Sequence, residues 1–514
     1  MAEQSRLFAL KPLIDKLPAV IKPKGHLPFK TKLLWTIVIL ILYFTLAQVM
    51  IYGVSGETVD YFENIRAIMA GENGSIIHLG IGPIVEASIV MQLLAGAKII
   101  NLDLSKKEDK AIFQGTQKIL VIVLTLVMSV AQIGALPPDP AFVEIVGSTA
   151  ARAIIILQLF IGGMILFLMD EIVSKWGIGS GISLFIVAGV SQKLVVGLFS
   201  WFPESPIPGQ VIGIMNPPAG AFLRLGYLLS KFSLSDLIYG GGFEYLFLGG
   251  GGQGYTQNTI VGLLGTIFIF LLVIYFETRR VEIPLAHGKV RGARGRFPIR
   301  LLYASVIPVI LVTMIIGVFN MVAMMLWTNP QIPLIGQNSF IGEFSGNTAI
   351  GGAAWYLSPL RGLESWLIPL VQGGLVVGGV EYAPWQIFLH IIVYLLAMVG
   401  GSILFAKFWI ETTGMGPKDV AKQIRSSEMQ IPGFRSSPRI VEKVLSRYIP
   451  TITILSGAIV GGLAVTADMI GTVGGIGGTS VLLAVSILMS LYEAVAKEQA
   501  AEMHPMIRKL FGVE

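Results

Sequence analysis

The chain of 514 residues contains no cysteine and only five histidines. Without cysteine it can form no disulfide, no thiol nucleophile and no thiolate metal site. The histidines fall in separate segments without an HExxH motif, and no Walker A sequence occurs, so neither a metalloprotease site nor a nucleotide-hydrolysing loop is indicated. These absences favour a protein that is not an enzyme, uses no cofactor and takes its energy from a partner.

Charged residues are also scarce. They make up 13% of the chain, against about 25% in typical soluble domains, whereas 54% of the residues are hydrophobic. The mean hydropathy is +0.75. This composition predicts a polytopic membrane protein, and the net charge of +6 is then explained by lysine and arginine concentrated on the cytoplasmic side.

Ten apolar segments approach the roughly 20 residues that are needed to cross the hydrocarbon core. They are predicted at about 33–54, 76–97, 115–136, 150–171, 179–199, 258–277, 301–327, 384–409, 450–470 and 476–495. Most lysines and arginines lie in the connections on one side, which predicts that the N- and C-termini are both cytoplasmic. The apolar run at 366–380 is too short to count as an eleventh crossing.

The ten segments divide into two halves of five. Segments five and ten each open on the motif GIG but enter the membrane from opposite sides, as in an inverted-topology repeat. We therefore predict an all-α polytopic membrane protein whose two inverted five-helix halves pack around a shared axis. The predicted organisation is an N-terminal half at 1–199, a long glycine-rich external loop at 200–257 and a C-terminal half at 258–514, with cytoplasmic loops at 278–300 and 410–448 and a tail at 496–514.

Several sequence motifs then resemble one family. The stretches are LGIGPIVEASIVMQLLAG, DEIVSKWGIGSGISLFIVAGVSQ, RRVEIPLAHG, ETTGMGPKDVAKQI and PGFRSSPRIVEKVLSRYIP. Together they are similar to the SecY family in its archaeal form, the pore subunit of the Sec protein translocon. The resemblance covers nearly the whole chain except 200–257 and part of 328–380. It implies a central pore that conducts unfolded polypeptides and releases transmembrane segments sideways into the lipid.

The resemblance implies that a ring of six aliphatic side chains closes this pore, here called the aliphatic ring. By the family's pattern the ring consists of Ile81, Val85, Ile182, Ile186, Ile310 and Leu483. The first two pairs are each spaced four residues apart, so each pair lies on one helix face. An apolar constriction resists water and ions by dewetting. The alternative is that all six are ordinary packing residues.

The segment 57–73 corresponds to the family's plug, a short amphipathic helix that lies on the outer side of the ring and moves away on opening. Its apolar face would carry Phe62, Ile65 and Met69. Its charged residues, Arg66 among them, are expected to face an aqueous funnel, because charge is costly against lipid. A surface-lying amphipathic helix without a gating role is the alternative.

The halves of this family are thought to part sideways, at a seam where polar residues are expected. Here Val306 and Val318 stand where the family's pattern has asparagine, and the nearest asparagine is Asn320. Glu86 lies within a membrane segment and is a functional candidate by default. Glu86 either sets the stability of this lateral gate or is hydrogen-bonded inside the bundle.

Basic cytoplasmic loops offer a surface for partners. The resemblance makes six residues a docking site for ribosomal RNA: Arg291, Arg294, Arg296, Lys422, Arg425 and Arg435. Their alternative role is to set topology alone. The resemblance also implies SecE- and Secβ-type small membrane subunits, signal peptides and nascent polypeptides as partners, and a place in the cell membrane.

An ion-coupled secondary transporter is the alternative function, because such proteins share inverted repeats and glycine-broken helices. A transporter needs several ionisable groups near the bilayer midplane. Only Glu86 clearly lies within a predicted span, whereas Asp170, Glu171, Glu277 and Asp468 fall near the ends of spans.

Overall fold

Ten apolar helices dominate the computed structural model. The structure describes residues 6–25, 27–56, 60, 66–96, 99–100, 102, 106–203, 212–213, 217–239, 242–247, 258–287, 294–328, 336–426, 429–430 and 438–503. The ten helices are α1 Phe29–Gln48, α2 Gly82–Gly96, α3 Lys107–Ala131, α4 Ser148–Trp176, α5 Gly181–Phe199, α6 Ile260–Thr278, α7 Ile307–Thr328, α8 Pro384–Thr412, α9 Pro438–Ile470 and α10 Gly478–Met503.

Within the described residues, nine of these helices are long and apolar enough to cross a membrane, and α2 is a shorter apolar helix. The predicted all-α, multi-pass membrane fold is therefore confirmed. α2 is short because its GIG opening is a turn: Gly80 has a φ of +54°, which favours glycine. The helix begins only at Gly82, with Pro83 in the first turn, where a missing N–H leaves no bond unmade.

Several helix boundaries differ from the prediction. α9 begins at Pro438 instead of about residue 450, although Pro450 lies inside it. A proline is expected to end or kink a helix, which is why the sequence predicted a later start. α1 was predicted at about 33–54 but spans Phe29–Gln48.

Both ends of the membrane bundle lie at one face, which we call the terminal face. Lys32 at the start of α1 forms an ion pair with Glu498 near the end of α10, with 2.6 Å between Nζ and Oε1. An even number of crossings requires this arrangement. The opposite surface is called the distal face.

The two predicted cytoplasmic loops are joined by a small sheet at the terminal face. Strands β1 (Arg280–His287) and β2 (Arg294–Arg300) pair antiparallel, from Arg280 opposite Arg300 to Ala286 opposite Arg294. A strand from the second loop, Met429–Gln430, pairs with the end of β1. The sheet order places β1 in the middle. The sequence did not predict these strands, because their basic residues read as exposed loop.

The predicted external loop at 200–257 contains short helices at Ala221–Lys231, Leu234–Tyr239 and Gly242–Phe247. Their leucines 228, 237 and 246 form a small buried cluster. Arg224 is buried beside it and donates from Nε to the Pro218 carbonyl at 3.0 Å. This part of the loop is therefore a folded cap on the distal face.

Shorter elements complete the described chain. The remaining α-helices are Lys11–Ile14, Arg66–Met69, Pro140–Val146, Gly352–Leu357, Leu367–Gln372 and Pro417–Ser426. The remaining strands form two hairpins, Glu343–Ser345 with Thr348–Gly351 and Leu375–Val377 with Val380–Tyr382. The run at 366–380 is a short helix followed by part of a hairpin, so it does not form an eleventh crossing.

Candidate functional site

Two cavities enter the bundle from opposite faces. The terminal cavity, of about 420 Å³, is lined by the first turns of α5 and α7 and the middle of α10. The distal cavity, of about 460 Å³, is lined by the end of α1, the end of α5 and the polar side chains of Glu72, Gln192, Lys193 and Asn258. The helix ends that line each cavity fix its face, because α5 begins at the terminal face and ends at the distal face.

Four of the six predicted ring residues line the terminal cavity. They are Val85, Ile182, Ile186 and Ile310. Ile81 and Leu483 have no exposed surface. All six belong to one apolar cluster, with Ile182 packed against its edge. Four of the six residues therefore line one cavity, and all six lie in the apolar core of the bundle.

Polar side chains also line the terminal cavity. Hydroxyl and amide groups lie on α2, α5 and α10 or just before α5 and α7: Ser88, Gln92, Ser180, Ser183, Ser305, Ser486 and Ser490. The lining of this cavity therefore combines aliphatic side chains with hydroxyl and amide groups.

The described part of the plug lies directly against the ring. Residues Arg66–Met69 form one helical turn, and all four are buried. The N–H of Ile81 donates to the carbonyl of Met69 at 2.7 Å, and the hydroxyl of Tyr43 donates to the carbonyl of Ala70 at 3.0 Å. A ring residue and the plug are thus joined through their backbones.

Arg66 corrects the prediction that the plug's charges face water. It is 3% exposed and forms an ion pair with Asp60, and its Nη1 donates to the carbonyl of His78 at 2.6 Å. A buried cation needs such partners, and they come from tertiary contacts that the sequence pattern does not show. The predicted plug residues Phe62 and Ile65 lie outside the described residues.

Ile68 was missed by the sequence reading. It is 2% exposed and lines a cavity of about 20 Å³ together with Asn320. The volume is enough for about one water molecule. Helical spacing predicts Phe62, Ile65 and Met69 as the apolar face, and a one-turn helix is too short for that spacing to identify every buried position.

The two predicted gate residues lie on different helices of the seam between the halves. α2 packs against both α7 and α8. Glu86 on α2 and Asn320 on α7 are both half-buried. Glu86 Oε1 and Asn320 Oδ1 are buried and have no hydrogen-bond partner among the described residues. At least this oxygen of the Glu86 carboxylate is therefore not hydrogen-bonded to the described residues of the bundle.

The basic residues are placed around the small sheet at the terminal face. Arg294 and Arg296 lie on β2, and Arg425 lies in the helix Pro417–Ser426. Lys422 in the same helix is exposed, and its Nζ is 3.6 Å from Asp419 Oδ1. Arg291 and Arg435 lie outside the described residues. The sheet thus brings both loops to one surface.

Comparison with known proteins identifies the family. A family model for SecY matches residues 75–492, and a model described as the plug domain of Sec61p matches residues 41–74. The protein translocase subunit SecY of Archaeoglobus fulgidus is 46% identical and is aligned over 99% of each chain.

Two solved structures share the fold over 97% of this chain and 99% of their own. One, described as a protein conducting channel, has a TM-score of 0.76 and 38% identity. The other, Sec61 in the canine ribosome-channel complex from the endoplasmic reticulum, has a TM-score of 0.73 and 37% identity. Since the family match spans most of the chain and the identity extends along its whole length, the chain belongs to the SecY family.

Proposed function

We propose that this chain is the central pore-forming subunit of a Sec-type protein-conducting channel. It carries unfolded polypeptides across the membrane and releases transmembrane segments sideways into the lipid. One observation supports the proposal most: four of the six ring residues line the terminal cavity, and a fifth, Ile81, is hydrogen-bonded to the plug residue Met69. A carrier would instead place ionisable groups at a central site.

The ring seals the pore, and the plug stabilises the closed state of the ring. A polypeptide that passes through the ring separates the aliphatic side chains, which adopt other rotamers around it. The ring still excludes water and ions from the remaining space. Opening breaks the bond between Ile81 and Met69, which costs about 1 kcal/mol, and exposes Ile68 and Met69. The closed state is therefore held mainly by apolar burial of the plug.

Lateral release occurs at the seam between α2 on one side and α7 and α8 on the other. Glu86 and Asn320 act as gate residues there. Each has a buried oxygen without a partner among the described residues, so each is more stable when the seam parts and its oxygen meets water or a polar group. Signal peptides compete with this seam for the same apolar faces.

The basic surface around the small sheet binds the ribosome through the phosphates of its RNA. Arg291, Arg294, Arg296, Lys422, Arg425 and Arg435 are the docking residues. The two loops that contain these residues are joined in one sheet, and topology alone needs no such joining. The terminal face is then the cytoplasmic face, and both termini are cytoplasmic.

The channel works in the cell membrane with SecE- and Secβ-type small subunits, which cover part of its lipid-facing surface. It hydrolyses nothing itself, so the translating ribosome or another motor drives transport. The alternative function, an ion-coupled transporter, differs from this one because its transport needs a coupling ion.

The direct test is transport by the reconstituted complex. The chain and its two small subunits are placed in vesicles with a ribosome that translates a secretory polypeptide. The proposal predicts that the polypeptide becomes protected from external protease without any ion gradient. Protection that requires an imposed proton or sodium gradient, or uptake of small solutes instead, contradicts it.

A further inference from the structure

Both halves of the chain place an aspartate at the same distance before a GIG motif. Asp170 precedes Gly177, and Asp468 precedes Gly475, by the same spacing in the sequence. Asp170 lies on α4 and Asp468 lies on α9, so each belongs to the helix before the one that GIG opens. Inverted repeats relate such positions across the membrane.

The two carboxylates make the same contact in space. Asp170 Oδ1 accepts a hydrogen bond from the N–H of Ile182 at 2.9 Å, and Asp468 Oδ1 accepts one from the N–H of Thr479 at 2.9 Å. Both donors lie in the first turn of a helix that carries ring residues. The first turn of a helix has N–H groups without an internal partner, and leaving them unpaired inside a membrane is costly.

Glycines at the starts of α5 and α10 leave space for these contacts. Ser180 before α5 makes no capping bond with its side chain, so the carboxylate of the preceding helix serves instead. A Cβ on Gly181 would lie 2.6 Å from Asp170 Oδ1, and one on Gly478 would lie 2.0 Å from the carbonyl carbon of Ala467. Glycine lets each helix start against its neighbour.

Asp468 is further held in place. Its Oδ2 accepts from Tyr394 OH and from Thr479 Oγ1, each at 2.7 Å, and the residue is 2% exposed. Its backbone carbonyl accepts from the N–H of Gly362 at 2.9 Å. A carboxylate with three donors fixes the start of α10 relative to α8 and α9. A negative charge also suits the positive end of a helix dipole.

We propose that Asp170 and Asp468 are equivalent positioning residues of the two halves, each fixing the start of one ring helix and thereby holding that half's ring side chains in the closed seal. Asp170 acts on Ile182 and Ile186 from the terminal face. Asp468 acts on Leu483 from the distal face. The inference rests on the proposed sealing role of the ring, and it accounts for two ionisable residues that pore conduction itself does not use.

The absence of cysteine makes a sharp test possible. The variants Ile186→Cys and Leu483→Cys each introduce a single thiol into the ring, at positions that are 1% and 0% exposed. The rate of reaction with a water-soluble maleimide is measured in the reconstituted complex. Each thiol is combined in turn with Asp170→Ala, Asp170→Asn, Asp468→Ala and Asp468→Asn.

The expected result is specific to each half. Asp468→Ala accelerates labelling at position 483 by roughly ten- to hundredfold, the ratio that one charge-assisted hydrogen bond supports, and leaves position 186 nearly unchanged. Asp170→Ala does the reverse. Asparagine keeps an acceptor oxygen for the N–H, so both Asn variants give smaller effects and provide usable proteins if an Ala variant fails to fold.

Thr453→Val serves as the matched control. Its hydroxyl is 3% exposed on α9 and donates within its own helix to the carbonyl of Ile449 at 2.7 Å, so its loss should leave both labelling rates unchanged. Equal acceleration of both thiols by either aspartate variant, or no acceleration by any, overturns the proposal. Resting ion flux is recorded on the same vesicles: specific labelling without added flux leaves the positioning role standing and overturns the sealing role of the ring.

Discussion

Arg300 at the end of β2 forms an ion pair with Glu493 on α10, and the same guanidinium lies 3.7 Å from Glu277 on α6. The small sheet at the terminal face is therefore fastened to two membrane helices of the C-terminal half. Because α10 also carries Leu483, a displacement of the sheet is transmitted to a helix of the aliphatic ring. This contact gives a physical route from a docked partner to the pore.

Replacing Arg300 should lower the stability of the protein more than replacing Glu493, its nearer partner. The Glu277 side chain is 4% exposed, so Arg300→Ala leaves a buried carboxylate without this positive charge, with the Ser486 hydroxyl still donating to it at 3.5 Å, and destabilises the protein by about 1–3 kcal/mol. Glu493 is partly exposed, and Glu493→Gln should cost less than about 1 kcal/mol. Thermal unfolding of the purified complex measures both. Adding Glu277→Gln to Arg300→Ala should recover stability, and equal losses in the two single variants would contradict this reading.

Gly80→Ala should loosen the plug. Gly80 has a φ of +54°, and a Cβ there would lie 2.0 Å from the Met69 carbonyl oxygen. The left-handed conformation costs about 1–2 kcal/mol for alanine, and the clash disrupts the bond between Met69 and Ile81. We expect a higher resting ion conductance in planar bilayers. Gly400→Ala on α8, where a Cβ meets nothing within 4 Å, is the control, and the idea fails if both variants conduct alike.

Glu86→Thr should make the channel more selective. The substitution removes a carboxylate whose Oε1 is buried without a partner among the described residues, so the closed seam gains roughly 1–3 kcal/mol. Weak signal sequences should then be transported less, relative to strong ones, than with the unchanged chain. Glu381→Thr on the exposed distal hairpin is the matched control. Unchanged selectivity in the Glu86 variant would count against a gate role.

Ribosome binding should weaken steeply as salt rises. Each phosphate contact makes the slope of log affinity against log salt concentration more negative by about 0.7–0.9. Arg296→Ala or Arg435→Ala should make that slope less negative by about 1, whereas Lys231→Ala in the distal cap should leave it unchanged. Sedimentation of ribosomes with the detergent-purified complex provides the measurement. A flat salt response would mean that these arginines set topology alone.

The sequence predicted most of the fold, because long apolar runs and charge asymmetry report directly on membrane crossing. Ring candidates were predictable only through family resemblance, since isoleucine and leucine are common in every membrane helix. The burial of Arg66 was missed, because its partners Asp60 and the His78 carbonyl meet it only after folding. The sheet at the terminal face was missed for a similar reason, since its third strand comes from a distant loop.

The most direct test of the central claim is site-specific crosslinking from a polypeptide that is stalled on a ribosome during transport. A photoreactive group is placed at Ile81, Ile182 or Leu483 in separate variants of the reconstituted complex, and at Leu264, which is 61% exposed on α6, as the lipid-facing control. The aliphatic ring predicts strong crosslinks from the first three positions and none from Leu264. Crosslinks from Leu264 alone, or equal yields from all four, would contradict a polypeptide path through the ring.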